Sequence, residues 1–366
     1  MTDARVALVT GPQGLSGGAV VERLAARTDW SVVGCSRRPL AVRGVGSVTA
    51  DLLNRDHTLD AMKDLADVTH LFFGAYVARA GDHGAEAVDN AAILTNTLDA
   101  LRSAGADLQH VVLYHGGKAY GAHLGPFTTP AKESAPRIEG PLLYHEQEDM
   151  VRARGSSDGI GWTIFRPDWV GGATTGSPIN LVLALGTYAV LCRELGQPLV
   201  YPGTITAGAS LMQSTDSRLI GAASEWACES AAARNDIFNL TNGDAYRWQD
   251  MWGEVADVFG LAVDDGGPTL TEFMTRHGSR WAEVMAKHDL VVLDPVATID
   301  WPTIDFAFSC GHDMISSTVK IRHAGFAECI DSSAMFAEQL HELARRRILP
   351  RDLFATPSPA SAEAAP

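Results

Sequence analysis

The sequence predicts an α/β protein: a doubly wound parallel sheet followed by a smaller, mostly helical C-terminal region. Three observations predict it. Short apolar runs alternate with amphipathic stretches through the first 170 residues. A glycine-rich turn joins the first run to the first amphipathic stretch. Beyond residue 170 the alternation gives way to helical spacing. Strands alternating with helices imply βαβ units, and so a parallel sheet covered on both faces.

The elements follow in order. Arg5 to Thr10 reads as a short buried strand, and Gly14 to Arg27 as a helix with Leu15, Val20, Val21 and Leu24 on its apolar side. Trp30 to Ser36 is a second strand and Val45 to Ala50 a weaker third. Thr58 to Ala66 is helical, Thr69 to Gly74 a fourth strand, and Ala85 to Ala104 a long helix. Gln109 to Tyr114 is the fifth strand, Tyr144 to Gly155 a helix, and Trp162 to Arg166 the sixth strand. Helices are then expected over Ser177 to Leu195, Ser217 to Ser230, Trp248 to Phe259, Leu270 to Lys287 and Ser333 to Arg347. Extended pieces are expected at Pro198 to Pro202 and at Ile237 to Thr241. The expected division is a nucleotide-binding domain over 1–170, with its sheet completed by later segments, and a substrate-binding region over 171–354. The last residues, 355–366, are rich in Pro, Ala and Ser and read as a disordered tail.

Composition excludes several function classes. The net charge is −15, and the longest basic run is Arg345-Arg346-Arg347, which argues against nucleic acid as a partner. The five cysteines are scattered with no CxxC pair, which fits a reducing cytosol and gives no zinc site. His110, His115 and His145 lack the spacing of a metal site. No apolar run reaches the ~18 residues a membrane span needs, so a cytoplasmic, membrane-free protein is expected. There is no GxSxG elbow and no GxxxxGK[ST] loop. A homodimer is compatible with the sequence, although no helix declares an interface.

The strongest motif is Gly11-Pro12-Gln13-Gly14-Leu15-Ser16-Gly17, set between a strand and a helix. The first glycine permits a tight turn, the second a close backbone approach to a pyrophosphate, and the third close packing of helix on sheet. This context makes the sheet Rossmann-type and the ligand a dinucleotide. Thr10, Gly11, Gln13, Gly14, Leu15 and Ser16 are the expected diphosphate contacts. Strand two ends in Ser36-Arg37-Arg38, where an acid would select NAD; two arginines and no acid favour the 2′-phosphate of NADPH. By topology, Asp51 and Leu52 follow strand three beside the adenine, and Ala75 and Tyr76 follow strand four beside the adenosine. Pro167 and Val170, at the end of strand six, border the nicotinamide end.

Short-chain dehydrogenases carry Tyr-x-x-x-Lys on the helix after strand five. Here Tyr144-His145-Glu146-Gln147-Glu148 places Glu148 where that lysine would be. A lysine appears instead in Gly116-Gly117-Lys118, directly after strand five. Together with Ser36 to Pro39, Gly117 to Tyr120, Gly125-Pro126-Phe127, Arg166-Pro167, Asn180-Leu181, Asp216 to Ile220, Phe238 to Asp244 and Lys320 to Phe326, this pattern resembles the progesterone 5β-reductase and iridoid synthase group of atypical extended short-chain dehydrogenases. The resemblance spans about Val6 to Pro350. It implies an NADPH-dependent reductase that acts on small α,β-unsaturated carbonyl compounds. Tyr144 and Lys118 would be the catalytic pair that stabilises the enolate oxygen and meets the cofactor. Phe127, Tyr120 and His145 would line the substrate pocket. Trp301, Phe306 and Phe308 are candidates for a second pocket aromatic, or for core. The segment Gly121 to Pro126 departs from the group as a longer connection. Two other readings stay open: carbonyl reduction with the same tyrosine, and a non-catalytic NADPH-binding sensor or scaffold.

Overall fold

The computed structural model describes residues 5–79, 81–291 and 293–355. Within it the chain divides into two compact units. The first comprises Met1–Val170, Gln213–Asp244 and Met314–Ile330. Two later segments thus belong to the first unit beside the residues up to Val170.

The first unit is built on seven strands: β1 (Arg5–Thr10), β2 (Trp30–Ser36), β3 (Gly46–Thr49), β4 (His70–Phe73), β5 (His110–Tyr114), β6 (Gly161–Pro167) and β7 (Asp236–Leu240). Their spatial order is β7-β6-β5-β4-β1-β2-β3, and every pairing is parallel. The chain reverses direction across the sheet between β1 and β4, which is where such sheets open a crevice at their carboxyl ends. Successive side chains alternate between the faces. Val6, Leu8, Leu71, Phe73, Val111, Leu113, Ile164 and Ile237 enter one core. Ala7, Val9, Phe72, Val112, Phe165 and Phe238 enter the other.

Four helices fill the crossovers: α1 (Leu15–Ala25), α2 (Arg55–Met62), α3 (His83–Ala104) and α4 (Leu143–Asp158). Helices α2, α3 and α4 pack in series over the first core. Helix α1 packs against the Ser217–Glu229 helix over the second. Asn54 and Asp82 cap α2 and α3 by accepting from His57 and Ala85 N–H, so α2 begins three residues before the expected Thr58. Buried His110 shares a hydrogen bond with Thr163 at 2.9 Å, and burial pushes its pKa down to about 3. It is a neutral core residue.

The second unit comprises Gly171–Met212, Ala245–Asp313 and Asp331–Pro366. Its central helix, Leu181–Leu195, is buried at every position through Cys192. It begins at the Asn180 cap rather than at Ser177, because the Asn180 side chain accepts from Leu183 N–H. Trp248, Trp252 and Phe308 form an aromatic cluster with Tyr201. Phe308 and Trp301 are therefore core residues of this unit, and Phe306 is half-buried. The helix expected over Leu270 to Lys287 is two helices, Leu270–His277 and Trp281–His288, joined by a tighter turn at Gly278–Arg280. A Cβ at Gly278 would sit 2.5 Å from the Val296 side chain, so close packing there requires glycine. Of the expected tail only Ala355 is described, and its N–H donates to Val258; 356–366 lie outside the described residues. No described helix is long and apolar enough to cross a membrane.

Candidate active site

The glycine turn has the geometry its sequence implies. Gly11 adopts φ +66°, and a Cβ there would lie 2.6 Å from the Gly74 carbonyl oxygen. A Cβ on Gly17 would lie 2.3 Å from the Gly11 carbonyl oxygen, so α1 packs directly on the turn. Gly14 is the N-cap of α1, with no side-chain cap and no acidic residue in the first turn. That leaves backbone N–H groups and the positive end of the helix dipole for an anion. Arg37 and Arg38 are exposed after β2 and form no ion pair among the described residues. The turn and the uncapped helix fit a dinucleotide, and these two cations stand at the end of β2. Ser36 Oγ donates to the Arg38 carbonyl, which shapes the loop that presents them.

Some expected contacts are committed elsewhere. Thr10 is fully buried, and its Oγ1 accepts from Ala75 N–H at 3.1 Å, bridging the ends of β1 and β4. Leu52 is buried, and its carbonyl accepts from Asn96 Nδ2 at 2.8 Å. Leu15 points its side chain into the core from the first position of α1. Gln13, Ser16, Ala75 and Val170 are half-buried, and Asp51 is exposed. Tyr76 is half exposed, with its hydroxyl donating to buried Glu86.

The chemical part of the site surrounds the Gly116-Gly117 turn after β5. A Cβ on Gly116 would lie 3.3 Å from the Tyr144 hydroxyl and 3.4 Å from the Pro167 carbonyl oxygen. Without it, the hydroxyl reaches the end of the sheet. The Tyr144 ring stacks on His115, with centroids 4.3 Å apart and planes 14° from parallel. His115 is buried, and burial holds it well below its usual pKa, so it is neutral. Desolvation, then the charge of Glu86, pushes the Tyr144 phenol well above its usual pKa. It is a fixed neutral donor at any ordinary pH.

Glu148, one turn along α4, is buried and bound by Arg152 at 2.9 Å, Arg137 at 3.2 Å and Arg166 at 3.6 Å. The usual lysine position is thus an anionic anchor for buried Arg166, whose guanidinium lies 5.0 Å over the Tyr120 ring. Lys118 stands two residues after Gly116 on the short Gly117–Tyr120 turn, half-buried and without an ion pair among the described residues.

The Tyr120 hydroxyl donates to Asn239, and the Arg166 guanidinium lies over its ring. Phe127 lies parallel to it at 6.5 Å. The long connection after Tyr120 is secured by Asn239, whose Nδ2 donates to Ala131 and Ser317 and whose N–H donates to Glu133. His145 is half-buried, with a buried Nε2 that has no hydrogen-bond partner among the described residues. Among the described residues there is no metal-binding group of His, Cys, Asp or Glu.

Two residues here escaped the sequence reading: Glu86, and Asp168 directly after β6. Asp168 is buried, and a Cβ on Gly117 would lie 3.5 Å from its Oδ1. Its position at the carboxyl end of a strand next to Arg166-Pro167 was the signal available.

The sequence profile described as PRISE-like Rossmann-fold domain matches residues 45–294, more than half of the chain. An (S)-8-oxocitronellyl enol synthase of Antirrhinum majus is 30% identical, over 94% of this chain and 93% of that protein. A 3-oxo-Delta(4,5)-steroid 5-beta-reductase of Arabidopsis thaliana is 29% identical over 94% and 93%. Among solved structures, the UDP-glucose 4-epimerase of Thermotoga maritima with UDP-glucose aligns with TM-score 0.68 at 15% identity, covering 94% of this chain and 99% of that one. The Thermus thermophilus UDP-glucose 4-epimerase complex with NAD aligns with TM-score 0.66 at 18% identity, covering 92% and 98%. At such identities these structures speak for the fold alone. The enzymes named with the sequence matches and the profile agree with each other, and the chain belongs to the PRISE-like Rossmann-fold family.

Proposed function

We propose that the protein is an NADPH-dependent reductase of α,β-unsaturated carbonyl compounds, saturating the C=C bond. The observation that carries this reading is the Tyr144 hydroxyl at the Gly116 turn, with Lys118 two residues after Gly116 and Glu148 in the usual lysine position. A conventional tyrosine with a lysine four residues on has its pKa lowered to release a proton. Tyr144 has its pKa raised instead. It donates a hydrogen bond to the oxygen that gains charge while keeping its own proton, which suits an enolate. Lys118 adds positive charge near that oxygen and near the cofactor ribose. When bound, NADPH supplies the hydride for the β-carbon. The relatives' names support the same chemistry, since a 3-oxo-Delta(4,5)-steroid is itself a conjugated enone.

The exposed Arg37 and Arg38 support NADPH over NADH. Arg37→Glu combined with Arg38→Ala is expected to lower the NADPH-to-NADH ratio of kcat/KM by at least tenfold. An unchanged ratio would remove these arginines from the 2′-phosphate site. The activity itself is tested by NADPH consumption with a cyclic enone and with the matching saturated ketone. Consumption with the enone alone is the expected result; equal consumption with the ketone would favour carbonyl reduction.

A further inference from the structure

Asp168 is a buried acid that the scheme above leaves without a task. It is 6% exposed. Its backbone is tied down, because its N–H donates to Thr215 Oγ1 at 3.0 Å and that hydroxyl donates to the Leu240 carbonyl at 2.8 Å. Its Oδ1 accepts from Trp169 N–H at 3.1 Å. Its Oδ2 is buried and has no partner among the described residues. An unpartnered carboxyl oxygen in such a place is costly and calls for an explanation. Its location supplies one. The Tyr144 hydroxyl lies 3.3 Å from a Cβ built on Gly116, and the Asp168 oxygens lie 3.5 and 3.7 Å from one built on Gly117. Adjacent Cα atoms are about 3.8 Å apart. The phenol and the carboxyl therefore flank the same two-glycine turn from neighbouring positions.

We propose that Asp168 is the acid of the reaction, its Oδ2 giving a proton to the α-carbon of the enolate held by Tyr144. The proposal rests on the enone-reductase reading. The α-carbon is two bonds from the carbonyl oxygen, and the proposal assigns the acid at Gly117 to that carbon as it assigns the Tyr144 hydroxyl at Gly116 to the oxygen. The balance is closed. Hydride arrival at the β-carbon moves the C=C pair toward the α-carbon and the carbonyl pair onto oxygen. The enolate pair then takes the Asp168 proton, the Oδ2–H bond breaks, the C=O bond re-forms, and Asp168 is left as carboxylate. Solvent returns the proton after the ketone departs. Net, one enone, one NADPH and one proton give one saturated ketone and NADP⁺.

Burial raises the Asp168 pKa to about 7, so the proton is present at and below neutral pH. The titratable neighbour it acts on is Tyr144 from α4, which stays protonated throughout this range. His115 next to β5 is neutral, and Arg166 on β6 is paired with Glu148. Asp168 is thus the group here whose charge changes near pH 7.

Asp168→Asn keeps the shape and removes the acid. Three readouts separate its role from a structural one. First, infrared spectra of the ligand-free protein at pH 6 should show a protonated-carboxyl band that the variant lacks. Second, wild type turning over 2-methylcyclohex-2-enone in D₂O should place deuterium on one face of the α-carbon, whereas the variant should give both faces. Third, the variant's kcat should fall about 10²-fold, and the decline in wild-type kcat above pH 7 should vanish. Unchanged melting temperature and NADPH affinity in the variant exclude misfolding; if Asn fails to fold, Asp168→Ser is read the same way. Wild-type labelling and pH profile in the variant would overturn the role of Asp168 and leave the enone reading standing. Absence of saturated ketone from wild type itself would overturn both.

Discussion

Replacing Tyr144 by phenylalanine should lower kcat by about 10²–10³-fold, the effect of removing one preorganised donor from a developing oxyanion. The fold should hardly notice. The ring keeps its stack on His115, and no described residue loses a hydrogen bond to the hydroxyl. NADPH affinity should stay within about twofold, because the hydroxyl acts on the substrate oxygen. The check is kcat and KM at saturating cofactor beside a fluorescence titration of NADPH. Turnover at the wild-type rate would move the donor role to another group. A parallel loss of NADPH affinity would make Tyr144 a cofactor contact first.

Gly17→Ala should be the most damaging single change to the nucleotide half. The new methyl would sit 2.3 Å from the Gly11 carbonyl oxygen and 2.8 Å from its carbonyl carbon. Both are backbone atoms, so no side chain can swing aside. Either α1 backs away from the sheet or the turn deforms. Overpacking of this kind costs about 3 kcal/mol, and NADPH binding should weaken more than tenfold because the same turn presents the phosphate donors. Gly18→Ala is the control. Its Cβ would be 3.4 Å from the nearest atom, the Pro12 carbonyl oxygen, and alanine favours the helix by roughly 1 kcal/mol. Urea denaturation of both variants tests the pair. Equal stability would mean that α1 does not pack on the turn as closely as described.

These cases mark what was legible in the sequence. The strands were, because each apolar run sits inside turn residues and its alternation splits between two cores, as Val6 and Leu8 do against Ala7 and Val9. The glycine turn was, because strand, glycines and helix come in one unbroken segment. Tyr144 and Lys118 were singled out only by resemblance, and the place of the Tyr144 hydroxyl at the Gly116 turn is not revealed by spacing alone. The helix break at Gly278 was not legible, and the close contact there with Val296 comes from a separate element. Nor was the fate of Tyr120, whose hydroxyl finds Asn239 on β7. Asp168 offered only its place after a strand, and such an acid looks like surface until burial and its neighbours are known. Local signals specify elements; long-range contacts decide which polar groups are spare.

The most direct test of the central claim is where the hydride goes. Wild-type protein is incubated with NADPH deuterated at the transferring position of C4 and with a cyclic enone, and the product is read by deuterium NMR. The account predicts a saturated ketone with deuterium on the β-carbon. An allylic alcohol with deuterium on the carbinol carbon would contradict it, and would make Tyr144 the donor of a carbonyl reductase instead.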